Sequence, residues 1–295
     1  MVTGLDAKHG DGLLEEFRKR WDYHKIYAEW MRKLYLYLDR VDVFSGSEHR
    51  ETTTSVALRL FKEFVFDKKK GDIVSTIQDF VNNDRRGEAV DRSLLKSVVE
   101  LFLVMGVAST KHDFKNKQDV ELAARSRSTG TNETYTQDFE RPFIENSRAV
   151  YKTSCTDWMA SDSVPVYMAK VEDTLAREKA RVDAYLNPST WPKLRDALVD
   201  VMLRHNEATL RESATGLGSM LEEDRREDIG RMYSLFKLWH GGKMPVAAGM
   251  ATFVKETGLG IVRTRGTRLA APDGRRVAGE RAFGGGPRAP APRPA

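Results

Sequence analysis

The sequence predicts an all-α fold. Hydrophobic residues recur at alternating spacings of three and four positions through most of the chain as far as residue 257, which is the period of an amphipathic helix. The β-branched residues are scattered through these helical windows, and no run has the alternation and turn chemistry of a β-hairpin. With 40% hydrophobic side chains in 295 residues, the chain can bury a large core, and no stretch is apolar enough to predict a membrane span.

The first predicted helix covers residues 12–41. Its apolar side chains lie on one face and lysine and arginine on the other, so this face is expected to pack on a core. A histidine on such a face is either a packed core residue or a base, and its apolar neighbours favour the packed core residue. The face consists of Phe17, Trp21, His24, Ala28, Met31, Tyr35 and Leu38.

Three shorter helices are predicted to follow. The Lys68-Lys69-Lys70-Gly71 run is expected to form a turn between the first two. Gly87 is expected to end the second, because glycine tolerates the left-handed conformation found after many helices, and Asp91 is expected to cap the third. The three helices cover about 53–66, 71–83 and 91–105.

A polar segment divides the predicted helices into two regions, 12–106 and 135–262. This segment, 107–134, is rich in Ser, Thr and Lys and is predicted to be a long solvent-exposed loop. In the second region Asn187-Pro188 and Trp191-Pro192 mark helix boundaries, because proline does not continue a helix. The five helices of the second region cover about 135–160, 163–187, 191–213, 226–240 and 244–257.

The positive charge of the chain is concentrated at its C-terminal end. Residues 263–295 contain eight arginines against Asp273 and Glu280, so the remainder of a chain with net charge +5 is close to neutral. One third of these residues are glycine or proline, which is typical of a disordered tail. Because no aromatic side chains are interleaved with the arginines, nucleic-acid binding is not the expected role of this tail.

The sequence contains no recognisable catalytic or metal-binding motif. None of the six histidines lies three or four positions from another, and the single cysteine, Cys155, has no nucleophile motif around it. Gly216-Leu217-Gly218 and Gly258-Leu259-Gly260 lack the third spaced glycine of a phosphate-binding loop. We therefore expect a protein with no catalytic residues, cofactor or metal.

An ordered series of aromatic and charged blocks resembles the N-terminal region of the cullin family over about residues 12–262. Each block is weakly diagnostic, but the series as a whole is specific, and within the family it most resembles the cullin-1 members of plants. The block Tyr135–Glu140 matches the signature Tyr-x-x-x-Phe-Glu, and Asp228–Tyr233 resembles Asp-Leu-x-x-Met-Tyr, with Ile229 in the leucine position. The other blocks are Glu16–Trp21 with His24, Lys25 and Trp30, Tyr37–Arg40, Arg86–Glu88 with Asp91 to Leu95, Tyr167–Glu172, Glu178–Leu186 and Phe253–Val262.

The resemblance implies a fold and a function. Cullin N-terminal regions are stalks of cullin repeats, which are five-helix bundles stacked into an elongated scaffold. Such a scaffold of an SCF-type ubiquitin ligase works in the cytoplasm and nucleus in ubiquitin-dependent protein catabolism, and has no catalytic residues of its own. The conserved aromatics would be packing residues between helices, namely Phe139, Phe143, Tyr151, Tyr167, Tyr185 and Tyr233.

The resemblance also implies an adaptor-binding helix. Carried over residue by residue, it places the family's adaptor-contacting aromatic at Phe102, with Val99 and Leu95 one and two turns before it. The implied partner is a Skp-type adaptor carrying an F-box protein. The alternative is that all three side chains belong to the core, and for Leu95 the core position is favoured.

Both ends of the match differ from full cullins. Only 11 residues precede it, where full cullins have further helices that form half of the adaptor-binding face. Nothing after Val262 resembles the third repeat or the domain that recruits the RING-box protein. The resemblance therefore implies a chain truncated at both ends that does not assemble an active ligase by itself. The alternative function is a helical protein that binds or sequesters an adaptor without ligase function.

Overall fold

The described part of the chain consists of helices and the short connections between them. The computed structural model describes residues 9–43, 51–108, 118–120, 123 and 133–270, and no β-strand occurs in these ranges. The predicted all-α class is confirmed. The α-helices of six or more residues are α1 (Asp11–Leu34), α2 (Thr53–Phe61), α3 (Asp67–Arg85), α4 (Arg92–Val107), α5 (Arg141–Ser161), α6 (Val164–Tyr185), α7 (Thr190–Val199), α8 (Glu207–Glu212), α9 (Leu217–Glu222), α10 (Arg226–Phe236) and α11 (Lys243–Ala270).

The first helix packs on the core only along its N-terminal half. Phe17 is fully buried and His24 is 8% exposed, and the His24 ring donates a hydrogen bond from Nε2 to the Ala57 carbonyl oxygen at 2.8 Å. The prediction that His24 is a packed core residue is therefore confirmed. The predicted apolar face does not continue, because α1 ends at Leu34 and Tyr35 and Leu38 are exposed.

The second and third helices form one continuous helical run. A π-helical turn at Lys62–Phe66 joins α2 to α3, and the Lys68–Gly71 run lies inside α3. The predicted turn at these residues is wrong, because Val65 and Phe66 before the run and Ile73 and Val74 after it all point into the core and keep the backbone helical. Gly87 has a φ of +85° just beyond α3, so the predicted helix end is confirmed.

The fourth helix begins at a side-chain cap, as predicted. The Asp91 carboxylate accepts hydrogen bonds from the backbone N–H groups of Ser93 and Leu94 at 2.9 and 3.0 Å. The segment that follows α4 was predicted to be an exposed loop at 107–134, and most of it lies outside the described residues. One of its described residues, Val120, is 5% exposed.

The aromatic residues of the Tyr-x-x-x-Phe-Glu block lie in the interior. A π-helical turn at Tyr135–Glu140 leads into α5 and buries Tyr135 and Phe139. Tyr233, also predicted to pack between helices, is 45% exposed, so that prediction is wrong. The core-facing side of α10 is taken by Met232, Leu235 and Phe236, which leaves Tyr233 on its flank beneath Lys243. The other predicted packing aromatics, Phe143, Tyr151, Tyr167 and Tyr185, are buried.

Helices between residues 190 and 224 are interrupted more often than predicted. The predicted helix at 191–213 is interrupted by a π-helical turn at Asp200–Arg204 and ends as the short helix α8. Another short helix, α9, was not predicted, because Gly218 inside it and Gly216 at its N-cap weaken the helical pattern. A side chain at Gly216 would meet the backbone of Arg211, so the close approach there explains this glycine.

The chain divides into two compact units at Met250. The first unit contains α1 to α10 and one continuous hydrophobic core, and the boundary between repeats at 12–106 and 135–262 stays a prediction. The last helix, α11, reaches Ala270, eight residues into the predicted disordered tail, and residues 271–295 lie outside the described residues. Among the described helices, none combines the length and apolar composition of a membrane span.

Candidate functional site

The predicted adaptor-contacting residues lie on α4. The N-cap at Asp91 fixes the start of this helix, and apolar side chains then cover most of its circumference. Leu95 and Phe102 are fully buried and Val99 is 2% exposed. The structure therefore brings the three residues together along one helix, but it places all three in the core, which is the alternative considered for them.

Phe102 is part of a cluster of aromatic rings that joins the two predicted regions. Its ring meets Phe66 edge-on with centroids 4.9 Å apart, and it lies 5.4 Å from the ring of Phe139. Phe139 in turn stacks on Phe143 at 5.8 Å. Such ring pairs contribute stability beyond that expected from their buried area. Phe102 therefore fixes the position of α4 on its core-facing side.

A cleft of about 540 Å³ lies between α1, α4 and the residues that follow α6. Val99 is the one of the three predicted contact residues that reaches its wall. Exposed Lys96 and Glu100 lie beside Val99 on α4, and Trp21 and His24 line the opposite side on α1. The cleft thus has apolar walls and a rim with charges of both signs, which suits an amphipathic protein segment.

His24 gives this cleft one buried titratable group. Burial lowers the pKa of His24 below its ordinary value, and the hydrogen bond to the Ala57 carbonyl only partly offsets this effect. Because Nε2 donates to that carbonyl, the neutral ring carries its proton on Nε2. The other ring nitrogen, Nδ1, is buried and has no hydrogen-bond partner among the described residues.

A buried cluster of charges joins α3 to α6. The Arg85 guanidinium donates two hydrogen bonds of 3.0 Å to the Glu178 carboxylate, and Arg181 bridges Glu178 to Asp84 at 2.8 and 2.7 Å. The Tyr151 hydroxyl donates a 2.6 Å hydrogen bond to the same Glu178 carboxylate. This cluster locks two helices that are far apart in the sequence.

The pKa values in this cluster follow from its pairing. Burial acts to raise the pKa of Glu178, but the hydrogen bonds and charges of Arg85, Tyr151 and Arg181 together bring it below its ordinary value. For Asp84 burial again acts to raise the pKa, and Arg92 and Arg181 lower it. Both carboxylates are therefore ionised at neutral pH, and the cluster acts as a structural lock.

The described residues hold no group of three or more His, Cys, Asp or Glu side chains that could bind a metal ion. Cys155 is 3% exposed, and burial raises the pKa of its thiol above the ordinary value. Its thiol is therefore protonated and shielded at neutral pH, which is unlike a nucleophilic cysteine.

Comparison with known proteins places the whole described fold in one family. The family described as Cullin alpha solenoid domain matches residues 2–275. Putative cullin-like protein 2 from Arabidopsis thaliana is 28% identical over 239 residues, which are 80% of this chain and 58% of that protein. Cullin-2 from Arabidopsis thaliana and Cullin-1 from Oryza sativa subsp. japonica are each 28% identical over 264 residues, which are 89% of this chain and 32% of either protein.

These relatives support the family but do not single out one member. Cullin-2 and Cullin-1 match with equal identity, so the finer resemblance to plant cullin-1 is not resolved. The chain spans 58% of the length of the first relative and about a third of the two cullins. Because the family described as Cullin alpha solenoid domain matches nearly all of the chain, and because the described fold is all-helical as that description requires, this protein belongs to the cullin family.

Proposed function

We propose that this protein is a scaffold subunit of a cullin-type ubiquitin ligase and acts in ubiquitin-dependent protein catabolism in the cytoplasm and nucleus. The observation that carries the proposal is the match to the cullin solenoid along residues 2–275. A scaffold acts by holding its partners at a fixed separation, so it needs a rigid fold and no reacting group. The aromatic cluster around Phe102 and the buried charge cluster around Glu178 both support such rigidity.

The adaptor-binding part of this proposal centres on α4. We propose that a Skp-type adaptor carrying an F-box protein binds the edge of α4 that faces the cleft, where Lys96 and Glu100 are exposed and Val99 forms part of the wall. Phe102 and Leu95 then contribute by holding α4 in place. Direct contact of an adaptor with Phe102 would require its ring to leave the cluster with Phe66 and Phe139.

Titration calorimetry with a purified plant Skp-type adaptor tests this proposal. The charge-reversal variants Lys96→Glu and Glu100→Lys change exposed residues, so they should leave the fold intact and weaken binding at least about tenfold, which corresponds to about 1.4 kcal/mol. Lys179→Glu on α6 is the matched control, since Lys179 is also exposed but does not line the cleft. Adaptor affinity that is absent in the parent chain, or equal in all four proteins, would contradict adaptor binding at α4.

A second measurement separates the ligase scaffold from the alternative of a protein that binds or sequesters an adaptor. The parent chain is mixed with the adaptor and a RING-box protein, and the complex is analysed by size-exclusion chromatography. Co-elution of all three supports the scaffold. Co-elution of the adaptor alone favours the adaptor-sequestering function.

A further inference from the structure

Asp84 connects two helices that form walls of the cleft. It lies at the end of α3, its side chain is 6% exposed, and its two carboxylate oxygens bind different helices. Oδ1 accepts a hydrogen bond of 2.9 Å from Arg92, the first residue of α4. Oδ2 accepts a hydrogen bond of 2.7 Å from Arg181, near the end of α6. One carboxylate therefore ties the start of α4 to the last turns of α6.

Further hydrogen bonds hold the α6 side of this connection. Arg181 also donates to the backbone carbonyl oxygen of Asp84 at 3.2 Å, and the Tyr185 hydroxyl donates to Oδ2 at 3.4 Å. Arg181 is itself paired with Glu178 at 2.8 Å. Hydrogen bonds between charged groups are short and strong, and those of arginine have a defined geometry. They therefore fix the end of α6 relative to Asp84.

Both helices continue from these hydrogen bonds into the lining of the cleft. On α4, Lys96 and Val99 line the cleft one and two turns beyond Arg92. On α6, Tyr185 lines it at the last residue of the helix. Asp84 is buried and is not one of the lining residues. It is thus placed to affect the cleft only through the two helices that it connects.

The apolar contact between α4 and α6 leaves their exact separation to this connection, because burial of apolar surface has no preferred direction. An exposed ion pair alone contributes little, and Arg92 is 61% exposed. Asp84, however, is buried and shared with Arg181, and a network of this kind holds its geometry better than an isolated pair. An amide has only one acceptor oxygen, so asparagine at this position could bind Arg92 or Arg181 but not both.

We propose that Asp84 is a positioning residue for the cleft. It sets the separation between the α4 wall and the end of α6, and through that separation it sets the affinity for the adaptor. Asp84 acts through Arg92 and Arg181 and does not contact the adaptor. The part of the proposal that concerns affinity rests on the proposed function, whereas the part that concerns the separation of the helices does not.

Double electron–electron resonance measures this separation. Spin labels are attached at Lys96→Cys on α4 and Asp183→Cys on α6, which are exposed positions that both line the cleft. The parent chain is the blank, because its single Cys155 is buried and should take up no label. In Asp84→Asn a water bridge replaces one direct hydrogen bond, so the mean distance should increase by about 2 Å. Asp84→Glu keeps both acceptor oxygens and should restore the parent distance.

Two arginine variants make the test independent of any misfolding in Asp84→Asn. Arg92→Met removes the α4 side of the connection at a residue that is 61% exposed, so the chain should fold normally and the distance should increase as in Asp84→Asn. Arg86→Met is the matched control, because Arg86 is 66% exposed and pairs with Glu88 near the same helix end. It should leave the distance unchanged. Circular dichroism and the urea midpoint verify the fold of each variant.

Titration calorimetry with the Skp-type adaptor measures the consequence for binding. Unlabelled Asp84→Asn and Arg92→Met should bind the adaptor at least about tenfold more weakly than the parent chain. Asp84→Glu and Arg86→Met should bind it as the parent does. Loss of stability alone would not produce this pattern at a temperature where all of the variants are folded.

The two measurements separate failure of this proposal from failure of the proposed function. An unchanged distance in Arg92→Met, or an equal increase in Arg86→Met, would overturn the assignment of Asp84 as a positioning residue. A longer distance with unchanged adaptor affinity would overturn the link between separation and affinity. Absence of adaptor binding in the parent chain would contradict the proposed function and with it that link, and the measured distances would still decide whether Asp84 sets the separation.

Discussion

Removal of the Glu178 carboxylate should destabilise the fold more than any single surface change. The side chain of Glu178 is 1% exposed and that of Arg85 is 8% exposed. Glu178→Ala therefore leaves a buried guanidinium that keeps its hydrogen bonds to Asn82 and Ser147 but has lost its carboxylate counter-charge. Breaking a buried ion pair in this way costs about 3–5 kcal/mol. The Tyr151 hydroxyl also loses its acceptor, which adds about 1 kcal/mol. We expect a total loss of about 4–6 kcal/mol.

Urea denaturation followed by circular dichroism measures this loss, and a double variant that replaces both charges tests whether it comes from the pair. The double variant Arg85→Met, Glu178→Leu removes both charges and fills their space, so it should recover most of the stability lost in Glu178→Ala. Asp173→Ala is the control on the same helix, since the Asp173–Arg177 pair is exposed and should contribute at most about 1 kcal/mol. A loss below about 1 kcal/mol in Glu178→Ala, or no recovery in the double variant, would refute the reasoning.

The same carboxylate gives a pH dependence with a defined sign. The pKa of Glu178 is lower in the folded chain than the ordinary glutamate value that applies when the chain is unfolded. Its ionised form therefore stabilises the fold at pH above that ordinary value, and the contribution is lost as the pH falls toward the folded pKa. Glu178→Gln should flatten the fall in unfolding free energy on the acid side, as measured by urea denaturation at a series of pH values.

Three further predictions follow from single side chains. Phe139→Ala should cost about 3–5 kcal/mol in urea denaturation because its ring is fully buried, whereas Tyr233→Ala, at a half-exposed ring, should cost under about 1 kcal/mol; similar losses would contradict the packing. His24 has a lowered pKa in the folded chain, so stability should fall as the pH drops below about 6.5, and His24→Gln should reduce that fall. Asp91→Ala should cost about 1 kcal/mol, while Asp91→Asn should cost less because the amide oxygen still caps α4.

The sequence predicted helix boundaries well where a single residue causes the boundary. Gly87 and Asp91 act through their own backbone and side chain, and both were predicted from their residue type alone. The turn predicted at Lys68–Gly71 failed because burial of side chains on either side of that run outweighs the local preference. The family resemblance counted Tyr233 among the packing aromatics without showing which side of α10 meets another helix.

The candidate sites were harder to predict because they depend on what covers each face. Spacing identified one apolar face of α1, but two faces of this helix are apolar, and only the packing of α2 shows that the face with His24 is the buried one. The exposed row of Tyr23, Tyr27, Trp30 and Leu34 was missed for this reason, although its spacing is visible in the sequence. The buried pair of Arg85 and Glu178 was missed because 93 positions separate its members.

The two clusters in the interior fix the helices beneath the surface that we propose for the adaptor. Phe102 connects α4 to Phe66 on one side and to Phe139 on the other, and Glu178 connects α6 to Arg85 at the end of α3. The exposed edge of α4 is therefore supported by helices on both sides of the 107–134 segment. This support comes from side-chain contacts and not only from the backbone that joins the helices. Lys96 and Glu100, beside Val99, therefore lie on a helix whose position is fixed by the buried aromatic and charge clusters. For this reason variants at Lys96 or Glu100 should change binding alone, whereas variants at Phe102 should change stability and binding together.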